Sequence, residues 1–516
     1  MLLICSSDYI ESELTSEIGR IPPAFLPLGG KRLYEHQVKS CVGDFSSKII
    51  SLPYDYEIPD FDQKRLAELG LEVIRVPNEF TIGEAIQYCI NISGPLGKIS
   101  ILYGDTVIED DEIYSLSDVV GVSYTSSNYH WYNVEKNKNK DLVYNGYFSV
   151  SSAKELVRYI ALKKGDFLEA LNAYSDNHLK IKHHSVRNWY DFGHSQTFYK
   201  SRTKFTTERA FNHLTIENNI VEKTSTHTNK ITAEAKWFSS IPFYLKIFTP
   251  QYLGDFRSLK NGCQGYRTEY LNLCSLSELF VFGDLPTKSW ASILNSCNEY
   301  LKKCILEKWP NDFNVDGYLN SIYIEKSKHR LKKYCQENNF NPDLKITFNK
   351  NKMPSVNEIM DICISRVMNS NPVPAILHGD FCFSNIFFDF RSESIKVIDP
   401  RAMDFNEKFT IYGDLRYDLA KMLHSYIGYY DCIISQRYEI NFSQHEIEFQ
   451  LEEKNTLDLD SIASILNVVD IKKYCVIEIV ILLFLSMLPL HYDSSIRQKA
   501  FLSNALRLFN LLEDVE

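Results

Sequence analysis

The sequence predicts an α/β protein that is divided into two domains. With 516 residues, the chain is too long for one typical hydrophobic core. Roughly the first 200 residues alternate short apolar segments with amphipathic ones, a rhythm that favours a mainly parallel sheet covered by helices. From about Asn212 the pattern changes to a few strand-like segments, and beyond about Lys288 it becomes mainly helical. We therefore expect domains of residues 1–207 and 208–516, the second with lobes of residues 208–287 and 288–516.

The elements of the first domain follow from short apolar runs and from apolar residues at helical spacing. The predicted strands are Met1–Cys5, Lys48–Ser51, Leu71–Val76, Lys98–Tyr103 and Val119–Ser123. The predicted helices are Tyr34–Cys41, Ile82–Ile92 and Ser195–Lys204.

The second domain is predicted to begin with a small β-rich lobe. The segment LTIENNIVEKTS at 214–225 is strand-like, and a helix is expected over Ile231–Phe238. The larger lobe that follows is predicted to be helical, with two short strands near Asn385–Phe388 and Ile395–Ile398.

Composition and charge exclude several classes of function. The net charge of −10 gives no electrostatic reason to expect a nucleic-acid partner. The longest apolar run, Ile479–Leu488, is well short of the approximately 20 residues that span a bilayer, so no membrane span is expected. The N-terminus lacks a basic segment typical of a signal peptide, and no cysteine pair has zinc-binding spacing. These features predict a cytoplasmic protein with reduced, buried thiols.

The most informative segment is HGDFCFSNIFFD at 378–389, followed by VIDPR at 397–401. Phosphoryl transfer requires an aligned acceptor hydroxyl, metal ions that neutralise developing charge, and a cation on the phosphates. Asp380 is expected to orient and deprotonate the acceptor. Asn385 and Asp399 are expected to bind Mg²⁺ through oxygen, the donor atom that a hard cation prefers.

A cation for the phosphates is predicted upstream. Lys223 lies in a strand-like segment, and Glu234 follows eleven positions later on a predicted helix. A strand lysine held by a helix glutamate places an ammonium on the α- and β-phosphates of ATP.

In this order the motifs resemble those of the aminoglycoside phosphotransferase and choline kinase family, which has a two-lobed protein-kinase-like α+β fold. The matching segments are HGDFCFSN, VIDPR and YDLAK at 417–421, and the segment FLSMLPLHYD at 484–493 is typical of capsule-locus members. The resemblance covers about residues 211–516. It implies ATP, Mg²⁺ and a small-molecule acceptor such as a sugar, polyol or amino alcohol. The region around Asn212–Asn219 departs from the pattern because it has no glycine-rich GxGxxG.

The roles of two further residues in this domain stay open. Asp418 is interpreted either as a structural acid that caps a helix or as part of the substrate site. Arg401 is interpreted either as a contact for a phosphate or anionic substrate or as the partner of a nearby acid.

Residues 1–205 contain a second set of motifs, PPAFLPLGGKRLYEHQV at 22–38, TIGEAI at 81–86, ILYGDTVI at 101–108 and WYDFGHSQTFYKSR at 189–202. They resemble the sugar-phosphate nucleotidyltransferase family, which has a Rossmann-like, GT-A-like fold. The resemblance implies a second nucleoside triphosphate (CTP, GTP, UTP or dTTP) that is joined to a phosphorylated sugar or alcohol. It implies one Mg²⁺ on Asp105 and Asp191, with nucleotide contacts at Arg20, Gly29 and Gly83.

The first loop of this domain departs from the family. The segment CSSDYIESELTSEIGRIPP keeps only Gly19 and Arg20 of a glycine-rich, basic loop and carries four acidic residues, and Pro23 stands where the family has a lysine. Such a loop should bind triphosphate poorly unless Arg20 or another cation compensates. Three interpretations remain open: an active but divergent nucleotidyltransferase, a degenerate binding or scaffolding module, and a glycosyltransferase of related fold.

Taken together, the motifs predict a bifunctional enzyme. The C-terminal domain would phosphorylate a small-molecule hydroxyl, and the N-terminal domain would convert the product to a nucleotide-activated form for bacterial surface polysaccharide. The alternative is an enzyme with kinase activity only, whose N-terminal domain binds or scaffolds. An oligomer is compatible with either.

Overall fold

A computed structural model describes residues 1–94, 97–127, 133–135, 140–205, 212–258, 262–443, 445–452, 454 and 456–513. The chain forms two compact units, one of Met1–Thr207 with Phe282–Asp284 and one of Glu208–Val281 with Leu285–Glu516. The predicted boundary between residues 207 and 208 falls outside the described residues.

The first unit alternates strands and helices. Its strands are β1 (Leu2–Cys5), β2 (Pro27–Leu28), β3 (Lys31–Arg32), β4 (Lys48–Pro53), β5 (Leu71–Val76), β6 (Ile99–Tyr103), β7 (Thr106–Ile108), β8 (Val119–Thr125), β9 (Asn133–Glu135), β10 (Asp141–Val150), β11 (Lys182–Ser185) and β12 (Trp189–Asp191). Its helices are α1 (Ser12–Ile18), α2 (Leu33–Ser40), α3 (Asp60–Glu68), α4 (Ile82–Ser93), α5 (Ala153–Leu162), α6 (Phe167–Asn177) and α7 (Ser195–Arg202).

Among the described residues, the main sheet of this unit has the order β11-β8-β10-β6-β1-β4-β5, with β9 paired to β10. Strands β6, β1, β4 and β5 run parallel to one another, and β10 is antiparallel to β6 and β8. Buried apolar side chains of these strands pack against α4, α5 and α6. The predicted α/β fold with a mainly parallel sheet is confirmed.

The carboxyl ends of the parallel strands are where ligands bind in open α/β sheets. Two polar segments follow such ends, one after β4 and one after β6, and the short β7–β12 pair continues from the latter. The predicted residues Asp105 and Asp191 lie in this second segment and at the end of β12.

The second unit begins with a β-rich lobe. Its strands are β13 (Asn212–Glu217), β14 (Ile220–Ser225), β15 (Tyr252–Arg257) and β16 (Gln264–Glu269), and its helices are α8 (Thr228–Ser240), α9 (Phe243–Lys246) and α10 (Leu276–Phe282). The four strands form an antiparallel sheet in the order β13-β14-β16-β15, and α8 packs against β14, β15 and β16.

The larger lobe is mainly helical. Its helices are α11 (Thr287–Cys304), α12 (Val315–Leu319), α13 (Lys326–Asn338), α14 (Val356–Asn369), α15 (Leu415–Tyr426), α16 (Tyr430–Ile434), α17 (Leu459–Ile465), α18 (Val476–Met487) and α19 (Ser495–Glu513). Every residue of α18 is buried, and this helix packs against α13, α14, α15 and α19. In the part of the chain that the structure describes, no helix has the length and apolar character needed to cross a membrane.

Among its described residues, the larger lobe also contains short strands, most of which the sequence did not predict. They are β17 (Ile346–Phe348), β18 (Asn351–Met353), β19 (Pro374–Ile376), β20 (Ile386–Asp389), β21 (Ser394–Val397), β22 (Tyr412–Asp414), β23 (Tyr438–Phe442) and β24 (Glu446–Leu451). Only β20 and β21 were predicted. A sheet in the order β18-β17-β24-β23 was missed, because two of its strands have three residues each and show no period.

Candidate active sites

The β-rich lobe and the helical lobe of the second unit meet at Lys223. Its Nζ atom lies 2.7 Å from Oε2 of Glu234 on α8 and 2.9 Å from Oδ1 of Asp399, which follows β21. Tyr266 on β16 donates a hydrogen bond to the same oxygen of Glu234 at 3.2 Å. Lys223 and Glu234 are buried, whereas the carboxylate of Asp399 is 38 % exposed. Although burial lowers the pKa of Lys223, the carboxylates of Asp399 and Glu234 raise it above its ordinary value, so the side chain carries its charge.

The backbone directs the Asp399 carboxylate toward this cation. Asp399 has a φ of +58°, in the left-handed region that an L-residue other than Gly, Asn or Asp rarely occupies. The loop that contains it is tied to the segment His378–Asn385, because Ile398 N–H donates to the Asn385 carbonyl at 3.0 Å and Arg401 N–H donates to the His378 carbonyl at 2.8 Å.

The carboxylate of Asp380 is held by two different side chains. Nδ2 of Asn385 donates to Oδ2 at 3.1 Å, and Nζ of Lys421 on α15 lies 2.8 Å from Oδ1. Asp380 is one third exposed, so the carboxylate remains accessible to a substrate. Oδ1 of Asn385 accepts a long hydrogen bond from the Ser384 hydroxyl at 3.4 Å and has a second lone pair, which a magnesium ion would use.

The backbone before Asp380 is fixed by two fully buried side chains. Nδ1 of His378 accepts the Asp380 N–H at 3.3 Å, so Nε2 must be the protonated nitrogen that donates to the Ile398 carbonyl at 2.9 Å. Burial lowers the pKa of His378 to about 4, which agrees with a neutral ring. Asp418 accepts hydrogen bonds from the N–H groups of His378 at 2.6 Å and Gly379 at 2.8 Å.

This position of Asp418 corrects both interpretations drawn from the sequence. Asp418 is fully buried, so it does not contact a substrate, and the N-cap of α15 is Asp414, whose side chain accepts the Arg416 N–H. Asp418 is instead a positioning residue for the segment that precedes Asp380. Burial raises the pKa of Asp418 to about 7.

The segment predicted to cover the nucleotide is a tight hairpin. Strands β13 and β14 are joined at Asn218 and Asn219, which have φ values of +51° and +62°. Positive φ at both central residues defines a type I′ turn, for which asparagine is a favoured residue in place of glycine. The hairpin therefore forms without a GxGxxG segment.

In the first unit, Asp105 and Asp191 come together as predicted from their strand ends. Asp191 is opposite Thr106 in the β12–β7 ladder, and Phe192 N–H donates to the Asp105 carbonyl at 2.8 Å. A Cβ atom added at Gly193 would lie 2.4 Å from Oδ2 of Asp105. A side chain at position 193 would therefore displace the Asp105 carboxylate from its present position.

The two carboxylates affect each other electrostatically. Burial raises the pKa of Asp105. Burial, and then the negative charge of Asp105, raise the pKa of Asp191 well above its ordinary value. Thr197 on α7 donates a hydrogen bond to Asp191, and Thr106 donates to Asp105 at 3.2 Å. A divalent cation between two such carboxylates would relieve their repulsion.

Both donor sets fit magnesium. The described residues contain no cluster of three or more His, Cys, Asp or Glu side chains arranged to hold a metal ion. Mg²⁺ in phosphate-transferring enzymes is commonly held by one or two protein oxygens together with substrate phosphates. Asn385 with Asp399, and Asp105 with Asp191, are donor sets of this kind.

The first loop of the unit is a helix rather than an open phosphate cradle. Acids at its start and on α1 bond to the beginning of α7: Glu11 accepts the Ser195 N–H at 2.5 Å, Glu13 accepts the Ser195 hydroxyl at 2.6 Å, and Glu17 accepts the Tyr199 hydroxyl. Sequence reasoning counted these acids as unfavourable for phosphate binding but did not predict that they join two helices.

The predicted nucleotide contacts of this unit have other partners. Arg20 forms an exposed ion pair with Asp55 at 3.0 Å and stacks on the Tyr9 ring. Gly29 has a φ of +57°, and a Cβ there would lie 2.9 Å from the Phe205 carbonyl. A Cβ at Gly83 would lie 2.2 Å from the Gly165 carbonyl, so packing of α4 explains this glycine without a nucleotide.

Lys421, which the sequence did not single out, is a further residue of the candidate site because its ammonium contacts Asp380. It is the last residue of the YDLAK segment, and it lies one helical turn beyond Tyr417 on α15. Helical spacing places Tyr417, Asp418 and Lys421 near one another on α15. It does not indicate that Lys421 contacts Asp380, which comes from a different segment of the chain.

Comparison with known proteins gives matches only among solved structures. No known family profile matches the sequence, and no curated protein matches it. HddC from Yersinia pseudotuberculosis is 16 % identical, with 40 % of this chain and 99 % of that chain covered and a TM-score of 0.29. The inositol-1-phosphate CTP transferase from T. maritima is 15 % identical, with 40 % and 95 % covered and a TM-score of 0.30.

A second group of solved structures aligns with a different part of the chain. APH(2")-IIia, in its complex with GDP and kanamycin, is 16 % identical, with 60 % of this chain and 90 % of that chain covered and a TM-score of 0.34. Both groups that the sequence motifs resemble, nucleotidyltransferases and aminoglycoside phosphotransferases, are thus represented among the similar structures.

Proposed function

We propose that the second unit transfers the γ-phosphate of ATP to a hydroxyl group of a small molecule. The observation that carries this proposal is the position of Lys223, whose ammonium is held by Glu234 from one lobe and lies against Asp399 of the other. A buried, charged lysine beside a partly exposed carboxylate provides a cation for phosphates next to an oxygen ligand for magnesium. When bound, Mg²⁺ would neutralise charge on the transferred phosphate.

Asp380 is the group that acts on the acceptor. Its carboxylate accepts the proton of the acceptor hydroxyl as the acceptor oxygen forms a bond to the γ-phosphorus and the bond between that phosphorus and the β,γ-bridging oxygen breaks. The products are a phosphate monoester and ADP. Lys421 and Asn385 hold the two carboxylate oxygens in place during this step, and Asp418 fixes the backbone that precedes them.

Replacement of Asp380 tests this function. Asp380→Ala should remove acceptor-dependent ADP release while leaving the affinity for ATP close to that of the wild type, because the carboxylate acts on the acceptor. Asp389→Ala is the matched control, since Asp389 is the last residue of β20 and its carboxylate accepts hydrogen bonds from the following turn, from the Arg391 N–H and the Ser392 hydroxyl. Near-normal turnover by the Asp380 variant would contradict the proposal.

For the first unit we propose metal-dependent nucleotidyl transfer to the phosphate monoester made by the second unit. The paired carboxylates of Asp105 and Asp191 favour it, because a shared Mg²⁺ would let two polyanions approach each other. The proposal implies a second nucleoside triphosphate as substrate, and the setting expected from the motif resemblance is the synthesis of bacterial surface polysaccharide.

One observation favours a different role for the first unit. The hydrogen bonds of Glu11, Glu13 and Glu17 to α7 keep the first loop folded as a helix and place acids where a triphosphate would lie. A first unit that only binds a ligand or serves as a scaffold would not need an open first loop, because it would not bind a triphosphate there.

Pyrophosphate release distinguishes the two roles. The full-length protein would be assayed with CTP, GTP, UTP and dTTP and a panel of sugar and alcohol phosphates, with Asp105→Ala as the inactive variant. Glu109→Gln, an exposed acid four residues later that accepts from Tyr190, is the matched control. Release that depends on Asp105 supports transfer. No consumption of any triphosphate, together with no metal-dependent nucleotide binding, would leave the scaffolding role.

A further inference from the structure

A partly enclosed cleft opens beside the segment His378–Asn385 of the second unit. Gly379, the residue before Asp380, forms part of its wall. The opposite wall comes from Tyr318, Ile322 and Lys326, which are spaced four residues apart along the helical run from α12 to α13 and therefore lie on one face. The rest of the lining consists of polar and apolar side chains, namely Arg401, Thr410, Tyr412, Tyr417, Leu377, Ala402, Met403 and Phe405.

Two of the polar side chains that line this cleft, Lys326 and Arg401, are cationic, and no acidic side chain lines it within the described residues. Lys326 is only 3 % exposed, and its Nζ atom lies 2.9 Å from the Tyr417 hydroxyl. Within the described ranges, neither Lys326 nor Arg401 has a carboxylate within 4.0 Å, and the neighbouring Arg330 bonds only to the Ser486 carbonyl at 3.3 Å. A buried ammonium is usually paired with an acid, so this arrangement leaves room for an anion that the substrate would supply.

The mutual repulsion of these cations is reflected in their pKa values. Burial, and then the charges of Arg401 and Arg330, lower the pKa of Lys326 to about 8. Although burial raises the pKa of Tyr417, the cations Lys326, Arg401 and Lys421 bring it down to about 8. An anionic group in the cleft would be attracted by the positive charges of Lys326 and Arg401.

The cleft lies beside the segment that carries Asp380, since Gly379 lines it. Tyr417 and Lys421 are four residues apart on α15 and lie on the same face, and Lys421 is paired with Asp380. Arg401 packs on the other side of the catalytic segment, since a Cβ added at Gly379 would lie 2.9 Å from Cβ of Arg401. An acceptor bound to Lys326 and Arg401 would therefore extend toward Asp380.

We propose that the acceptor is a small hydroxylated anion, whose carboxylate or phosphate group binds Lys326 and Arg401 while its hydroxyl group meets Asp380. This proposal rests on the phosphotransferase function proposed above and narrows its substrate class. The hydroxyl proton passes to Asp380, the hydroxyl oxygen bonds to the γ-phosphorus of ATP, and ADP leaves, so the product has one more phosphate group than the acceptor. A cationic amino alcohol is excluded by the charges of the cleft.

A panel of acceptors tests the proposal with the full-length protein, ATP and Mg²⁺. Glycerate and glucose 6-phosphate carry a carboxylate and a phosphate, glycerol and glucose are their neutral counterparts, and ethanolamine is cationic. At least one anion should be phosphorylated with a kcat/KM about tenfold or more above that of its neutral counterpart, and the more reactive anion identifies the preferred group.

Two variants assign the effect to the cleft. Lys326→Met and Arg401→Gln should raise the KM of the anionic acceptor about tenfold or more without changing the KM of ATP, and Arg401→Lys should restore part of the affinity. Lys328→Met, an exposed lysine on the same helix, and Arg391→Gln, in the exposed turn after β20, are the matched controls. If Lys326 and Arg401 had only a structural role, the substitutions would change the KM of the acceptor and the KM of ATP together.

Binding is measured separately from turnover by the thermal shift of the Asp380→Asn protein with each panel member at millimolar concentration. The proposal would be overturned if neutral and cationic acceptors were phosphorylated or bound as effectively as the anions. It would also be overturned if neither anion bound. Anions that bind through Lys326 and Arg401 but are never phosphorylated would support the cleft and contradict the phosphotransferase function instead.

Discussion

The ammonium of Lys421 lies 2.8 Å from Oδ1 of Asp380, whereas Oδ2 of the same carboxylate accepts its hydrogen bond from Asn385. Each oxygen thus has its own partner, and the two partners come from different segments of the helical lobe. Although burial lowers the pKa of Lys421, the charge of Asp380 raises it, so this lysine stays protonated. Lys421 is therefore a positioning residue that acts through Asp380.

Lys421→Met should lower kcat about tenfold to a hundredfold, because the carboxylate loses the cation that orients it, while the KM of ATP stays unchanged. Methionine keeps the apolar stem of the side chain, so packing is preserved. Steady-state kinetics with varied ATP and varied acceptor check this. Lys473→Met on the protein surface is the control, and a kcat equal to that of the wild type would show that Asn385 alone is sufficient.

Glu234→Gln should raise the KM of ATP about tenfold or more. Without the Glu234 charge, Lys223 keeps only Asp399 as its ionic partner and is drawn toward it, away from the phosphates. Glu222→Gln is a close control, since Glu222 is one residue from Lys223 on β14 and forms an exposed pair with Arg267 at 2.7 Å. Equal ATP affinities of the two variants would contradict the assigned role of Glu234.

Asp418 should make the stability of the second unit depend on pH. Its pKa is about 7 in the folded protein and near 3.8 when unfolded, so its contribution is fully present below pH 3.8 and is lost as pH rises through about 7. The slope is on the order of 1.4 kcal/mol per pH unit within this window. Asp418→Asn removes the titrating group.

The measurement is the difference in Tm between the wild type and Asp418→Asn at pH 5 and at pH 8. The wild type should lose stability relative to the variant as the pH rises. A difference that does not change with pH would mean that the two backbone N–H donors keep the carboxylate ionised throughout.

Asp105→Asn should have opposite effects with and without magnesium. In a chelator the variant should be more stable than the wild type, because the repulsion between the buried carboxylates of Asp105 and Asp191 is removed. Added Mg²⁺ should raise the Tm of the wild type and have little effect on the variant. Thermal unfolding monitored over a magnesium titration checks both, with Glu109→Gln as the control. A variant that responds to Mg²⁺ like the wild type would place the metal elsewhere.

The sequence indicated most of the fold where apolar periodicity was clear. The predicted strand Leu71–Val76 has the bounds observed for β5, and the predicted helix Ile82–Ile92 differs from α4 by one residue. The four-stranded sheet of the larger lobe was missed because β17 and β18 have three residues each, and β17 pairs with β24, about 100 positions away in the chain. A pairing over such a separation leaves no local pattern.

The same limit applies to the sites. Lys223, Glu234, Asp380, Asn385 and Asp399 were chosen from spacing and residue type, and the structure brings the first two to Asp399 and the third to Asn385. The partnership of Lys421 with Asp380 depends on how α15 packs against the catalytic segment, which spacing does not encode. The conversion of the first loop to α1 likewise depends on Glu11 and Ser195, 184 residues apart.

At position 399 the residues that fit the left-handed backbone best differ from those that provide a carboxylate for the metal. Asparagine and glycine occupy this conformation readily, whereas glutamate does so at a strain of about 1 kcal/mol. A selection for abundant, folded protein would therefore favour Asn and Gly over Glu at position 399, although Glu alone keeps the carboxylate. A selection for turnover would reject Asn, Gly and Glu at position 399. Positions that tolerate substitution in the selection for folding but not in the selection for turnover therefore mark the metal-binding side of the site.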